Sequence, residues 1–168
     1  MGRILCHYLV SEYTEPNCSW AMAARSKSKL DSLKDELGNK AQNVPILTAN
    51  SLDQESLQVL CNSAEVIIST VGPYALYGEL LVKLCALSGT DYCDLTGEAQ
   101  WIKRMVERYE DEARASGARI VHCCGFDSIP SDLGVKFLQD LAHEHFGAYC
   151  KHVKMRVKGT KGGASGGT

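Results

Sequence analysis

The chain alternates short apolar runs with longer amphipathic segments, and this alternation is the feature that most restricts its fold. Five apolar runs predict β-strands, at residues 19–24, 44–47, 65–71, 91–95 and 119–124. Each run is followed by a segment with apolar residues at helical spacing and with capping or helix-ending residues at its limits. Strands that alternate with helices in this way form a parallel sheet covered by helices. The sequence therefore predicts an α/β domain with a doubly wound parallel sheet.

The predicted helices cover residues 28–37, 51–61, 74–88, 98–116 and 130–143. In the first of them, Ser28 and Asp31 have the spacing of a capping box, and Gly38 follows the last apolar residue. No linker rich in proline or glycine divides the series. We therefore expect one domain over residues 1–147.

The beginning of the chain differs from the usual order of a doubly wound domain, which opens with a strand, a glycine-rich turn and a helix. Residues 2–10 have the apolar spacing of that helix, but no strand precedes them and no G-x-G-x-x-G motif occurs in the chain. We interpret Gly2 as the last residue of the turn. The sequence thus predicts a Rossmann-like sheet without its first strand, with unpaired strand edges, marginal stability and a tendency to aggregate or to pair with another chain.

The other end of the chain predicts the start of a second, α+β domain, over residues 148–168. Apolar residues alternate with Lys154, Arg156 and Lys158, as in a half-buried strand, and a glycine-rich stretch follows over residues 162–168. A solvated strand face is the ordinary interpretation of these three cations, against a phosphate-binding stripe.

Composition excludes several classes of protein. Eighteen basic and twenty acidic residues give a net charge of −2, without the basic excess of a nucleic-acid-binding protein. Eight cysteines without a Cys-x-x-Cys pair or a secretory signal favour an intracellular protein with reduced thiols over a disulfide scaffold. No apolar run approaches the roughly 20 residues of a membrane span.

Candidate cofactor contacts follow the predicted strands, because ligands bind at the carboxyl edge of open α/β sheets. Arg25, Ser26 and Lys29 follow the strand at residues 19–24. A guanidinium there offers a planar fork of donors to the 2′-phosphate of NADP. The alternative is a set of ordinary solubilising charges at the start of a helix, and the sequence leaves the two interpretations open.

The remaining candidate cofactor contacts are Gly2, Asp53, Val71, Gly72, Pro73 and Tyr74. A purely structural turn would also account for the Gly-Pro pair. No catalytic residue is predicted, because the Tyr-x-x-x-Lys pair and the G-x-S-x-G elbow are both absent. No metal site is predicted either, since His143 and His145 lack zincin spacing and Cys123 and Cys124 point to opposite faces of a strand.

Three segments carry a resemblance to a known family: VGPYALYGE at residues 71–79, YCDLTGE at 92–98 and GFDSIPSD at 125–132. In this order and at these intervals they closely resemble the saccharopine dehydrogenase-like oxidoreductases, which include the mycobacterial trans-acting enoyl reductases. The family's first strand and its glycine-rich loop have no counterpart apart from Gly2. Most of the family's second domain has none either.

The resemblance implies an NADP-dependent oxidoreductase that acts on a lipid-linked or other hydrophobic substrate, as enoyl reductase members do in glycolipid synthesis. Relatives in animals and plants imply a cytoplasmic protein, or one in peripheral contact with membranes or lipid droplets. A homo-oligomer is a further expectation. The alternative is a non-catalytic, truncated form that binds a partner or a lipid surface, and it stays open because the phosphate-binding loop is missing.

Overall fold

A computed structural model describes residues 1–13 and 19–159. Its helices are α1 (Gly2–Glu12), α2 (Lys27–Leu37), α3 (Gln54–Ser63), α4 (Tyr74–Tyr77), α5 (Glu79–Ser88), α6 (Ala99–Ser116) and α7 (Ile129–Phe146), with a 3₁₀ turn at Asn39–Ala41. The strands are β1 (Met22–Ala24), β2 (Ile46–Thr48), β3 (Val66–Ser69), β4 (Asp91–Asp94) and β5 (Ile120–Val121). All five predicted strands and the predicted N-terminal helix are therefore present.

The strands form two parallel sheets rather than one. β1 pairs with β2, with Met22 opposite Ile46, and the second sheet has the order β3-β4-β5. Within the described residues no pairing joins β1 to β3. In a doubly wound sheet the first strand lies between these two.

Each sheet has its own core. The larger cluster contains eleven buried residues under α3, α5 and α6, among which Trp101, Met105 and Tyr92 are almost fully enclosed. The smaller cluster consists of Met22, Leu30, Ala41 and Val44. The sequence anticipated Trp101 and Met105 as the buried face of their helix, because apolar side chains four apart share one side of a helix.

Helix α1 connects the two halves. Its side chains Cys6 and Val10 pack on the smaller cluster. At its other end Gly2 lies beside β3, so close that an added Cβ would stand 3.0 Å from the Thr70 hydroxyl oxygen. Outside the core, Glu36 of α2 accepts hydrogen bonds from the side chains of Arg3 and His7.

One face of the larger sheet is open to solvent. Val66 and Ile68 of β3 are 54% and 46% exposed, and Val121 of β5 is 51% exposed. These residues alternate with Ile67 and Ile120, which pack on the larger core. Side chains of a strand point alternately to its two faces, so only one face of this sheet is covered by the described helices.

Three local predictions differ from the structure. Helix α2 begins at Lys27 with Ser26 as its cap, not Ser28, because the Ser26 hydroxyl accepts the Lys29 amide. The helix predicted over residues 74–88 is interrupted at Gly78, where the ring of Trp101 packs against the backbone. That approach is a tertiary contact, which local spacing does not reveal.

The third difference concerns the predicted strand near the C-terminus. Residues 150–159 have no regular secondary structure, and Met155 and Val157 are 63% and 69% exposed. The apolar alternation alone does not make a strand, since a strand also needs hydrogen bonds from a neighbour, and the described residues provide none here. The glycine-rich stretch that follows lies outside the described residues.

The packing at Gly78 gives a test of the larger core. A Cβ at Gly78 would lie 2.7 Å from Trp101 Cζ2 and 2.9 Å from the Tyr74 carbonyl oxygen. We expect Gly78→Ala to lower the free energy of unfolding by about 1–3 kcal/mol, because the core must shift to make room. Urea denaturation followed by circular dichroism measures the change.

Gly97→Ala is the matched control, since an added Cβ at Gly97 meets no atom within 4 Å. Its effect should stay within about 0.5 kcal/mol. Equal losses in the two variants would contradict the packing described for Gly78.

Candidate active site

The predicted cofactor contacts follow the ends of strands in both sheets. Parallel strands end at the same edge of a sheet, and ligands of doubly wound domains bind there. Arg25, Ser26 and Lys29 follow β1, Asp53 follows β2, and the segment at residues 71–74 follows β3. Gly2 joins them at Thr70. The structure thus places all nine residues at carboxyl ends of strands or, for Gly2, beside one.

The turn after β1 presents cationic side chains. Arg25 and Lys29 are exposed, and neither forms an ion pair within the described part of the chain. Lys27, between them, is neutralised by Asp31 across 2.9 Å. Two cations without carboxylate partners at a helix N-terminus oppose the helix dipole. This arrangement suits an anionic ligand, and it also agrees with solvated surface charges.

Asp53 and Ser26 each cap the N-terminus of a helix. The Asp53 carboxylate accepts the amides of Glu55 and Ser56 at the start of α3. Hydrogen bonding from Ser56 lowers the pKa of Asp53 below its usual range. Both residues are helix caps, and their exposed oxygen atoms remain at the candidate site.

The segment after β3 combines an open turn with a buried anchor. Val71, Gly72 and Pro73 are exposed, and the Gly72–Pro73 peptide bond is cis. An added Cβ at Gly72 would meet only ordinary contacts, the nearest 3.5 Å away on the Tyr74 ring. Internal packing therefore does not require glycine there. The interpretation that Gly72 permits close approach of a ligand remains open.

Tyr74 serves as that anchor rather than presenting its side chain outward. The Tyr74 hydroxyl donates to the Ser69 carbonyl at 3.0 Å and accepts the Leu95 amide. Burial raises the pKa of this phenol. Glu98 fixes the following turn, because its carboxylate oxygens accept the amides of Tyr74 and Ala75 at 2.7 and 2.8 Å. The hydroxyl, the amide and the carbonyl of Tyr74 are thus all bonded within the protein, and Tyr74 shapes the turn from inside.

Asp94 is the centre of a buried polar network at the end of β4. Its side chain is fully buried, and its Oδ2 accepts the Tyr92 hydroxyl at 3.0 Å and His122 Nδ1 at 2.7 Å. Its Oδ1 accepts the amides of Thr96 and Cys123 at 3.0 and 3.2 Å. A buried carboxylate is stable only when its oxygens are saturated by such donors. Burial, with the Asp94 charge beside it, raises the pKa of Tyr92, which therefore remains a donor.

His122 completes the network from β5. Its ring packs edge-on against Trp101, with the ring centroids 5.1 Å apart. Two buried atoms here, His122 Nε2 and Trp101 Nε1, have no hydrogen-bond partner among the described residues. With Nδ1 donating to Asp94, a neutral His122 leaves Nε2 as an acceptor, whereas the indole Nε1 is a donor.

The network joins the loops that hold the segments singled out in the sequence. Asp94 holds the turn at Thr96, whose hydroxyl accepts the Glu98 amide, and Glu98 holds the turn at Tyr74. On the β5 side Asp94 binds Cys123, which has a left-handed φ of 61°. One buried carboxylate thus connects the loops after β3, β4 and β5.

Sequence reasoning did not assign a role to Asp94, Glu98 or His122. The sequence does contain a signal for this network. Asp94 and His122 lie in predicted buried strands, where a charged or polar side chain requires a hydrogen-bond partner. The partners themselves come from different strands and follow only from strand order. Nearby, burial raises the pKa of the Cys93 thiol to about 11, so this cysteine is not an activated nucleophile.

Parallel strands that alternate with helices are typical of doubly wound domains, many of which bind dinucleotides. Comparison with known proteins identifies which one. The saccharopine dehydrogenase NADP-binding domain family matches residues 1–121. The chain belongs to this family, and NADP is its expected cofactor.

Individual relatives agree. The chain is 41% identical over 168 residues to a protein of Mycobacterium tuberculosis named as a trans-acting enoyl reductase, covering 100% of this chain and 40% of that one. It is 38% identical over 146 residues to the lipid droplet localized protein of Caenorhabditis elegans, covering 84% and 34%. The chain therefore spans well under half of the length of these relatives.

A solved structure shows the same fold. Apo saccharopine dehydrogenase (L-Glu forming) from Saccharomyces cerevisiae superposes with a TM-score of 0.67 over 85% of this chain and 29% of that one, at 17% identity. The Rossmann-like α/β prediction is confirmed. None of the described helices combines the length and hydropathy of a membrane span.

The Asp94 network gives the second test. Asp94→Asn turns two of the acceptor sites of a buried side chain into donors that face Tyr92 and His122. We expect a loss of about 2–4 kcal/mol in the free energy of unfolding, because buried polar groups are left without partners.

Asp91→Asn is the matched control on the same strand. An amide at position 91 can still accept the Arg119 backbone amide that Asp91 accepts at 2.8 Å. We expect a much smaller loss in chemical denaturation. If the two asparagine variants were equally stable, the Asp94 network would not hold the loops together.

Proposed function

We propose that this chain is the NADP-binding part of an oxidoreductase that reduces a hydrophobic, lipid-linked enoyl substrate. The observation that carries the proposal is the exposed cationic turn at Arg25, which follows β1 in a domain of an NADP-binding family and forms no ion pair within the described residues. When bound, reduced NADP would supply a hydride to one carbon of the double bond, and the other carbon would take up a proton.

Arg25 is the residue that we propose for the 2′-phosphate. It is exposed directly after β1, which takes the place of the second strand of a doubly wound domain. The adenosine ribose lies at the end of that strand. Lys29 lies one turn along α2 and adds positive charge, while Lys27 is already paired with Asp31. A planar guanidinium binds two phosphate oxygens at once, and a lysine ammonium acts as a point charge.

Gly2 and the turn at residues 71–73 are proposed to line the pyrophosphate and nicotinamide side of the site. Gly2 leaves the first turn of α1 beside Thr70 without an intervening side chain. Backbone amides at a helix N-terminus favour phosphate.

A hydrophobic substrate is supported by the loop after β5 and by the names of the relatives. Phe126 is 84% exposed at the same sheet edge, and Ile129 and Leu133 at the start of α7 are also exposed. Apolar side chains beside a cofactor edge suit an acyl chain. The M. tuberculosis relative is named for enoyl reduction.

Cofactor preference tests the proposal. Isothermal titration calorimetry should detect NADPH binding to this chain and much weaker NADH binding. Arg25→Ala should weaken NADPH binding roughly 10- to 100-fold and leave NADH unchanged, because hydrogen bonds between charged groups contribute about 1.5–3 kcal/mol.

Lys27→Ala is the matched control, since its ammonium already pairs with Asp31. Its NADPH affinity should stay close to that of the unchanged protein. Equal binding of NADPH and NADH, or an unaltered affinity in Arg25→Ala, would remove Arg25 from the site. Absence of NADPH binding to folded protein would reject the proposal for this chain.

A second candidate function is non-catalytic binding at a lipid surface. Phe137 and Phe146 of α7 are exposed in addition to Phe126, and a relative is named for lipid droplets. If this candidate holds, the protein should float with triolein emulsions coated with phospholipid, and Phe137→Ser with Phe146→Ser should reduce the floating fraction several-fold. Flotation that is equal for both forms would exclude α7 as the contact.

A further inference from the structure

The carboxyl edge of the larger sheet differs in charge from that of the smaller sheet. In the smaller sheet, Arg25 follows β1 and Asp53 follows β2, so both signs are present. The loops after β3, β4 and β5 cover residues 70–73, 95–98 and 122–128, and they contain no lysine or arginine. They carry the carboxylates of Glu98 and Asp127. The loops of the larger sheet thus present negative charge to any ligand at this edge.

Glu98 is bonded directly to the turn after β3. Its two carboxylate oxygens accept the amides of Tyr74 and Ala75 at 2.7 and 2.8 Å. Acceptance by both oxygens is the arrangement of an ionised carboxylate. Glu98 is only partly buried, and it forms no ion pair within residues 1–13 and 19–159. Amide dipoles, and no cationic side chain, therefore face this negative charge.

The same bonds close this turn to phosphate. The amides of Leu76 and Tyr77 donate to the Pro73 carbonyl. Because Glu98 accepts the amides of Tyr74 and Ala75, all four amides of α4 are used within the protein. A phosphate group needs free amides or cations. Helix α4 offers it neither, and a carboxylate already occupies the position in front of its first amides.

The Glu98 charge lies close to the residues proposed as cofactor contacts. The Tyr74 nitrogen is covalently bonded to the Pro73 carbonyl carbon, so Glu98 Oε1 lies no more than about 4 Å from that carbon. A doubly wound domain consists of two mononucleotide-binding halves. With the adenosine part proposed at β1, the nicotinamide nucleotide belongs to the half that contains β3. Its ring would then lie at the turn that Glu98 holds.

The nicotinamide ring changes its charge with its redox state, since it is cationic in NADP⁺ and neutral in NADPH. A carboxylate attracts the cationic ring and has no net charge to attract in the neutral one. For charges within about 10 Å of each other, at an effective dielectric constant of about 20–40, this attraction corresponds to roughly three- to thirtyfold in a dissociation constant. The phosphates and the adenosine are the same in both forms and do not contribute to the difference.

We propose that Glu98 sets the redox preference of the nicotinamide subsite, by favouring the cationic ring of NADP⁺ over the neutral ring of NADPH. The inference rests on the proposed function, because it requires the cofactor at this edge. A site that binds the oxidised form more tightly makes the bound reduced form a stronger hydride donor. This is the direction that the proposed reduction requires. Glu98 is thus a positioning residue that also acts through its charge.

The test compares the two redox forms in one variant. NADP⁺ and NADPH are titrated separately into the full chain and into Glu98→Gln by isothermal calorimetry. We expect the ratio of the NADP⁺ dissociation constant to that of NADPH to rise roughly three- to thirtyfold in Glu98→Gln, because the attraction for the cationic ring is lost. A loosened turn would weaken both forms alike. The ratio therefore separates the charge of Glu98 from its structural role.

Two further variants serve as controls. Glu98→Asp keeps the charge on a shorter side chain, so the ratio should stay near that of the unchanged protein even if both affinities fall. Glu110→Gln removes a carboxylate of α6 that pairs with Arg114 and lies about 18 Å further along the helix axis. Its ratio should not change. An unchanged ratio in Glu98→Gln, or an equal rise in Glu110→Gln, would overturn the inference and leave the proposed function standing.

Salt provides a measurement on the unchanged protein, which does not depend on how well Glu98→Gln folds. Raising the salt concentration from about 50 to about 500 mM screens the attraction between Glu98 and the ring. We expect the ratio to rise at least twofold, while the shared phosphate contacts cancel. A ratio that does not depend on salt would count against Glu98. If the folded, unchanged protein binds neither form, the proposed function is rejected and this inference falls with it.

Discussion

The saturation of the Asp94 carboxylate is the constraint on which the rest of the site depends. This side chain is fully buried, and four donors from the ends of β4 and β5 and from the turn after β4 converge on it. Burying a carboxylate without such donors would be strongly unfavourable. The loops that carry the donors are therefore not free to move independently, and Glu98 extends the same constraint to the turn after β3. The candidate site is rigid where it meets the larger core.

The cationic side of the site is built differently. Arg25 lies on the smaller half, whose core consists of four buried residues. The distance between Arg25 and the turn at Gly72 thus depends on how the two halves pack together. Cofactor affinity depends on that spacing as well as on the contacts themselves. A domain can therefore keep its individual contacts and still bind weakly.

The sequence predicts the architecture well because strand and helix periods are local properties. All five strands, the N-terminal helix and the buried face of α6 follow from apolar spacing. The interruption at Gly78 does not follow, since it depends on the approach of Trp101 from another helix. Of the site, the positions after each strand are predictable, because parallel strands share an edge. The Asp94–His122 contact is not, since it requires strand order and register.

The division into two cores has a spectroscopic consequence. The chain contains two tryptophans, and they are divided between the halves: Trp20 packs against the smaller cluster and Trp101 is enclosed in the larger one. Trp101 lies edge-on to an imidazole, whereas Trp20 is only partly buried. Their emission should therefore differ in wavelength and in quenching. Fluorescence of single-tryptophan variants would report the state of each half separately, without any added label.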